Sequence, residues 1–369
     1  MSSLVLYRKY RPQSFSQVVG QEHVTRTLKN ALASGFWGHA YLFAGPRGCG
    51  KTSLARILAK AVNCWQRKPG QFEPCNQCDS CLEINQGRAI DLIEIDAGTN
   101  TGIDNIRELK DSIRFLPVKS NYKVFIIDEC HQLSGAAANA LLKTLEEPPQ
   151  HALFILATTE SSKLIPTILS RVQRFDFHKF SLAEIKTRLA GILRQEGIGF
   201  QEEALDLIAF QSGGALRDAE TLLEEVVSFV GQDNKIEKQE VQAILGIPDS
   251  QAVLRFLTYL QKKQAKEAVQ FLNEIIFQAV DIKEFAKSLT QFLRELLLLK
   301  LDLTESSFLW LALNESARAQ LQQLAVGFSE KEIRLILESF SAAENKLKYA
   351  SIPQLPLELA IVEICSQTS

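Results

Sequence analysis

The stretch Gly45-Pro46-Arg47-Gly48-Cys49-Gly50-Lys51-Thr52 constrains this chain more than any other, because it spells G-x-x-x-x-G-K-[ST]. Binding a polyphosphate needs several backbone N–H donors aimed at one place. Glycines let the chain curl closely enough to supply them. Lys51 then reaches the β- and γ-phosphates, and the Thr52 hydroxyl faces Mg²⁺. The residues on either side fit. His39-Ala40-Tyr41-Leu42-Phe43-Ala44 reads as a buried strand running into the loop. Ser53 to Lys60 reads as a helix whose N-terminus faces the phosphates, where the macrodipole favours an anion. Strand, loop and helix in this order call for an α/β fold with a parallel sheet.

A second stretch supplies what such a loop needs. Lys123-Val124-Phe125-Ile126-Ile127-Asp128-Glu129 is an apolar run ending in two carboxylates. Runs of this length suit central strands of a parallel sheet. Asp128 is placed to bind the Mg²⁺ shell and Glu129 to polarise an attacking water. The bland alternative is that both acids cap the helix that begins near Ser134.

Length sets the scale: 369 residues make two or three domains. An apolar content of 46% supplies sizeable cores, and a net charge of −2 excludes a strongly basic or acidic tail. The charge is unevenly spread. Residues 1–60 carry nine Lys/Arg against the single acid Glu22, which favours an anionic ligand such as a nucleotide or a nucleic-acid backbone. Met1-Ser2-Ser3-Leu4 has neither the charged nor the apolar region of a signal peptide. The longest apolar stretch, Leu296 to Leu299, is too short to span a bilayer. A cytoplasmic, membrane-free protein with reduced thiols is the expectation.

Four of the seven cysteines cluster as Cys64, Cys75, Cys78 and Cys81, flanked by Pro69, Gly70 and Pro74. In a reducing compartment this C-x10-C-x2-C-x2-C spacing reads as a metal site. Four thiolates suit a closed tetrahedral Zn²⁺ of structural type. An iron–sulfur cluster is the rival, although no further cysteine follows at ferredoxin spacing. Cys49, Cys130 and Cys365 read as small buried hydrophobes.

Strand candidates at 40–44, 91–96, 123–128, 153–158 and 172–177 alternate with helices. The expected divisions are an α/β domain over 1–178 with the cysteine insert at 64–81, a small helical domain over 179–245 and a second all-α domain over 246–369. Gly213-Gly214 precedes a helix, and Gly246-Ile247-Pro248-Asp249 is a turn between the two helical parts.

These residues carry a resemblance. The P-loop, the Asp-Glu strand, a strand ending in Thr158-Thr159, Ser170-Arg171 and Gly214-Ala215-Leu216-Arg217-Asp218 resemble the clamp-loader branch of the AAA+ ATPases. Lys9-Tyr10-Arg11-Pro12, Val19-Gly20-Gln21, the four-cysteine insert and Ala140 to Pro149 resemble, within it, the gamma/tau family of bacterial DNA polymerase III subunits. The resemblance is dense over residues 4–245. It implies an AAA+ sheet domain with a zinc insert, a helical lid and an all-α collar that joins subunits.

Roles follow from it residue by residue. Tyr7, Arg11 and Pro12, with Val18 and Val19, would line the adenine pocket. The loop from Gly45 through Ser53 would hold the phosphates of ATP. Thr159, or failing that Thr158, would be the polar sensor beside the γ-phosphate. Arg217 would contact the same nucleotide, whereas Arg171 would enter a neighbouring subunit's site; the family usually has Cys where this chain has Val172. Arg107 and Lys110 are candidate sequence-independent DNA contacts. Implied partners are other loader subunits in a five-membered ring, the sliding clamp and primed DNA. A translocating AAA+ motor and a non-hydrolysing scaffold subunit of the same loader are the alternatives.

Overall fold

The computed structural model describes residues 5–99, 112–231, 235–246, 248–277, 280–303, 309–310 and 313–366. They fall into two compact units, one of Met1–Arg188 with Gly214–Thr221, the other of Leu189–Gly213 with Leu222–Ser369.

The first unit is built on five parallel strands: β1 (Ala40–Ala44), β2 (Leu92–Asp96), β3 (Lys123–Asp128), β4 (Ala152–Thr158) and β5 (Gln173–Asp176). Their spatial order is β2-β3-β4-β1-β5. Each expected strand is present to within a residue at either end. The apolar runs explain the order of burial. β1 and β4, flanked on both sides by other strands, are buried along their whole length, as continuous apolar sequence requires. On the edge strand β5 only Phe175 is buried. Phe125 and Phe154, on adjacent strands, stack at 5.2 Å and pin β3 to β4.

Register then does the positioning. Ala44 lies opposite Thr158 and Asp176, and Asp96 lies opposite Asp128. The strands therefore end together, and the P-loop, Asp128-Glu129 and Thr158-Thr159 emerge along one edge of the sheet. Asp91, expected to open β2, instead turns its carboxylate onto the backbone N–H groups of Val118, Lys119 and Ser120, each at 2.8 Å. Burial raises its pKa, but these three donors outweigh that and hold it below the usual carboxylate value.

The helix Lys51–Asn63 follows the P-loop and begins two residues earlier than its apolar pattern alone indicates. Gly214 closes the unit, accepting a 3.0 Å hydrogen bond from the Phe180 N–H just before the helix Leu216–Val230.

Among its described residues, the regular structure of the second unit is all helical apart from one bridge between Phe200 and Ile236. The helices Ser250–Gln261, Ala265–Phe277, Ile282–Lys300, Glu315–Gly327, Glu330–Leu347 and Leu355–Ser366 share one apolar core. Phe256 is central to it, with ring centroids 5.3 Å from Phe285 and 6.0 Å from Phe340. Polar side chains set where these helices start. Asp249, Asp281, Asn314 and Ser329 each accept from a backbone N–H in the first turn, and Ser329 with Glu332 forms a reciprocal box. Each such cap is worth about 1 kcal/mol. Among the described residues no helix is long and apolar enough to cross a membrane.

Candidate active site

The P-loop is held by conformations that only glycine adopts without strain. Gly45 has φ +153°, and a Cβ there would lie 2.5 Å from the Phe177 carbonyl oxygen. Gly50 has φ +95° as the residue that turns the loop into the helix. The Lys51 ammonium is buried and donates to the carbonyls of Gly45 at 2.7 Å and Pro46 at 2.8 Å. It is thus fixed across the loop before any phosphate arrives.

A cavity of about 340 Å³ opens over this loop. Arg47, Gly48, Cys49, Gly50, Lys51, Thr52 and Ser53 form its floor, with Asp128 and Glu129 beside them. Tyr7, Arg11, Pro12, Val18 and Val19 form another wall, and Arg217 closes over them. The Arg217 guanidinium lies 4.9 Å from the centre of the Tyr7 ring, a cation–π contact. Hydrogen bonds from Arg8 and Arg217 lower the Tyr7 hydroxyl pKa. Burial lowers the Arg11 pKa, and the nearby Arg56 guanidinium pushes the same way.

Thr52 and Asp128 meet directly. The Thr52 hydroxyl donates to Asp128 Oδ2 at 2.7 Å, so the two candidate Mg²⁺ ligands already converge. Glu129 adopts φ +47°, a left-handed conformation uncommon outside glycine and frequent at functional sites. Its Oε2 accepts from the Thr159 N–H at 3.1 Å and from the Thr159 hydroxyl at 2.9 Å. His131 Nδ1 stands 3.3 Å from the same oxygen. Thr158 is fully buried, and its hydroxyl is engaged by His131 Nδ1 and the Glu160 N–H. Of the two threonines, Thr159 is the one that touches Glu129.

Several cavity residues were not singled out from sequence. Asp96 enters because β2 ends beside β3. Phe177, Phe180, Leu216 and Glu220 come from segments far along the chain. Gln21 also lines the cavity; its side chain pairs with the His178 backbone through both its amide nitrogen and its oxygen. The triplet Val19-Gly20-Gln21 was a usable signal for it. Burial raises the Glu220 pKa, against the pull of Arg188 at 3.0 Å.

Arg171 is not among the residues lining this cavity. Its guanidinium donates to the Thr167 carbonyl at 2.7 Å and pairs with Glu146 at 2.6 Å, on a separate shallow surface with His39 and Leu145. Arg107 and Lys110 lie outside the described residues.

The four insert cysteines come together. The sulfurs of Cys64, Cys75, Cys78 and Cys81 all lie within 4.8 Å of one another. A tetrahedral ion with metal–sulfur bonds of about 2.3 Å needs its sulfurs about 3.8 Å apart, so the four are gathered at the scale of a single ion. Backbone N–H groups of Gln77 and Cys78 donate to Cys75 Sγ at 3.4 and 3.2 Å. Burial pushes the Cys75 thiol up, but those donors and the neighbouring sulfurs outweigh it and bring it down to about 7. Such a thiol readily becomes a metal-binding thiolate. Metal analysis of the purified chain should therefore return one Zn²⁺. Cys78→Ser should lower the thermal midpoint by about 5 °C or more while turnover at saturating ATP stays near the parent value. Stoichiometric iron, or a Cys64–Cys81 disulfide, would remove the zinc assignment.

Comparison with known proteins gives a consistent set. Residues 20–181 match the family described as DNA polymerase III, delta subunit; residues 184–232 match the DNA polymerase III clamp loader subunit, ATPase lid domain; residues 236–369 match DNA polymerase III subunits gamma and tau domain III. DNA polymerase III subunit tau of Bacillus subtilis is 41% identical over 370 residues, taking in 100% of this chain and 64% of that protein. The tau subunit of Escherichia coli is 43% identical over 76% of this chain and 43% of its own length. DNA polymerase III subunit gamma of Buchnera aphidicola subsp. Acyrthosiphon pisum is 35% identical over 99% of both chains. The chain thus spans 43% to 64% of the two tau subunits and nearly all of this gamma subunit.

Proposed function

We propose that this chain, which belongs to the DNA polymerase III gamma/tau family, is an ATP-hydrolysing subunit of a clamp loader that places a ring-shaped sliding clamp on primed DNA. The observation that carries the reading is the convergence of Lys51, the Thr52–Asp128 pair and Glu129 in one cavity. A non-hydrolysing scaffold has no need of that set.

ATP is the substrate. The P-loop N–H groups and Lys51 bind its β- and γ-phosphates, and the wall from Tyr7 to Val19 takes the base. A Mg²⁺ held by Thr52 and Asp128 supplies charge neutralisation at the phosphates. Glu129 orients the attacking water. In this structure Thr159 donates twice to its Oε2, which His131 also approaches, and release of that oxygen from Thr159 is the step we assign to readying it for a water. Binding and hydrolysis are thereby separable: the phosphate cradle is preformed, whereas the base is held back until the assembly releases it.

The family assembles with other clamp-loader subunits. Residues 246–369 are the collar of that assembly, residues 179–245 the lid domain, and residues 1–178 the ATPase domain with its zinc insert. The clamp and primed DNA are the partners whose arrival frees Glu129. Contact with DNA is to phosphates and independent of sequence.

The test is ATPase activity of the reconstituted loader with and without clamp and primed DNA. Clamp and primed template together should stimulate it, without strand separation. Glu129→Gln should bind ATP as the parent does and lose turnover by about 10²-fold or more. Parental turnover in that variant would place water activation elsewhere, and DNA unwinding would favour a translocating motor.

A further inference from the structure

We propose that the four-cysteine insert acts on the nucleotide cavity, holding its N-terminal wall through Lys60 and Glu73, so that the insert sets affinity for ATP and not the rate of its hydrolysis. The proposal rests on the reading of that wall as the base-binding side of the site.

Lys60 belongs to the helix Lys51–Asn63, more than two turns beyond the P-loop, yet it is only 1% exposed. Its ammonium has four oxygen neighbours. It meets the Gln13 carbonyl at 2.7 Å and the Gln13 side-chain oxygen at 2.8 Å. It also meets Asn76 Oδ1 at 2.6 Å and Asn85 Oδ1 at 2.7 Å. Three ammonium protons serve these four acceptors, so none is left to water. Asn76 lies between Cys75 and Cys78 in a left-handed conformation, φ +58°. Asn85 ends the short helix that carries Cys81. One buried cation thus joins the cysteine insert to Gln13.

A second tie runs parallel to it. Glu73, two residues before Cys75, accepts from the Phe15 N–H at 2.9 Å and from the Ser16 N–H at 2.8 Å. The insert therefore grips residues 13–16 at both ends. That strip connects the two parts of the cavity wall: Tyr7, Arg11 and Pro12 lie before it, Val18, Val19 and Gln21 after it. Only Lys60 among the holding groups shares an element with the phosphate cradle. Asp128 ends β3, and Glu129 and Thr159 directly follow β3 and β4.

The consequence is an asymmetric effect on ligand binding. Loosening the insert should release the wall that faces the base and leave the cradle for the phosphates. Binding of ATP and of inorganic tripolyphosphate to the chain, measured by competition, separates the two ends. Glu73→Ala should weaken ATP binding by about ten-fold and leave tripolyphosphate binding unchanged. Glu73→Gln, which keeps one acceptor oxygen, should recover part of the loss. Lys60→Met and chelation of the insert metal should act in the same direction. In the reconstituted loader, Glu73→Ala should raise KM for ATP by a similar factor at unchanged kcat.

Equal loss of ATP and tripolyphosphate binding would mean general damage to the fold and would overturn the proposal. So would unchanged ATP affinity in Glu73→Ala and Lys60→Met together. Val19→Trp isolates the underlying reading. If it leaves ATP affinity intact, the wall does not face the base. If it weakens ATP binding while Glu73→Ala does not, the wall reading stands and the coupling to the insert fails.

Discussion

Arg171→Ala should cut ATP turnover of the assembled loader by about 10³–10⁵-fold while each chain still binds ATP, because a guanidinium on the transferring phosphoryl group is worth that much. Arg171 does not line its own chain's cavity. It is instead held on a separate surface by Glu146 and the Thr167 carbonyl. The Arg171 guanidinium and the Glu146 carboxylate both remain partly exposed, and an ion pair of this kind contributes about 0–1 kcal/mol. Glu146 therefore orients the arginine without locking it, and a stronger anion on a neighbouring subunit can take it over. Mixing Arg171→Ala chains with Lys51→Ala chains tests this arrangement. Each parent assembly lacks turnover, but where an intact arginine faces an intact P-loop one working interface is restored. Activity should reappear in mixed assemblies. Mixtures shown to contain both chains and still inactive would make Arg171 a residue of its own subunit.

Lys51→Ala should lower affinity for ATP by about 100-fold or more. A charged hydrogen bond contributes about 1.5–3 kcal/mol, and here the loss is compounded. The ammonium bridges the Gly45 and Pro46 carbonyls, so its removal takes away the tie that holds them together and loosens the loop that Gly45 and Gly50 bend. The preformed cradle is lost together with the charge. Equilibrium titration with a fluorescent ATP analogue reads the change directly. Parental affinity in this variant would contradict the P-loop assignment itself. In the proposed arrangement Lys51 and Arg171 serve opposite halves of one interface, and the two substitutions should then differ in kind: the first removes binding, the second only turnover.

Much of this site is legible in the chain because its signals are local. Glycine spacing encodes the P-loop, and an unbroken apolar run encodes a central strand with Asp128-Glu129 at its end. Cysteine spacing encodes the metal cluster, whose four sulfurs do converge. The domain-scale order of sheet first and helices after is equally plain from periodicity.

Other assignments depend on residues that meet only after folding. Thr158 and Thr159 are adjacent and chemically alike, and only strand register sets which hydroxyl reaches Glu129, 30 residues earlier. The side-chain alternation of a strand sends one inward to His131 and leaves the other at the site. Asp91 reads as a strand residue, but the chain returns 27 to 29 residues later with three N–H groups that its carboxylate caps. Arg217 over Tyr7, and Lys60 between Gln13 and the cysteine insert, have no sequence signature, since a lone Arg or Lys on a helix is ordinarily solvated. The chemistry can be read from the chain alone, because each motif is a short run whose residue types are dictated by one ligand or one strand. The wiring between motifs comes from folding, because it depends on which distant segments the parallel sheet and the insert bring within hydrogen-bond reach.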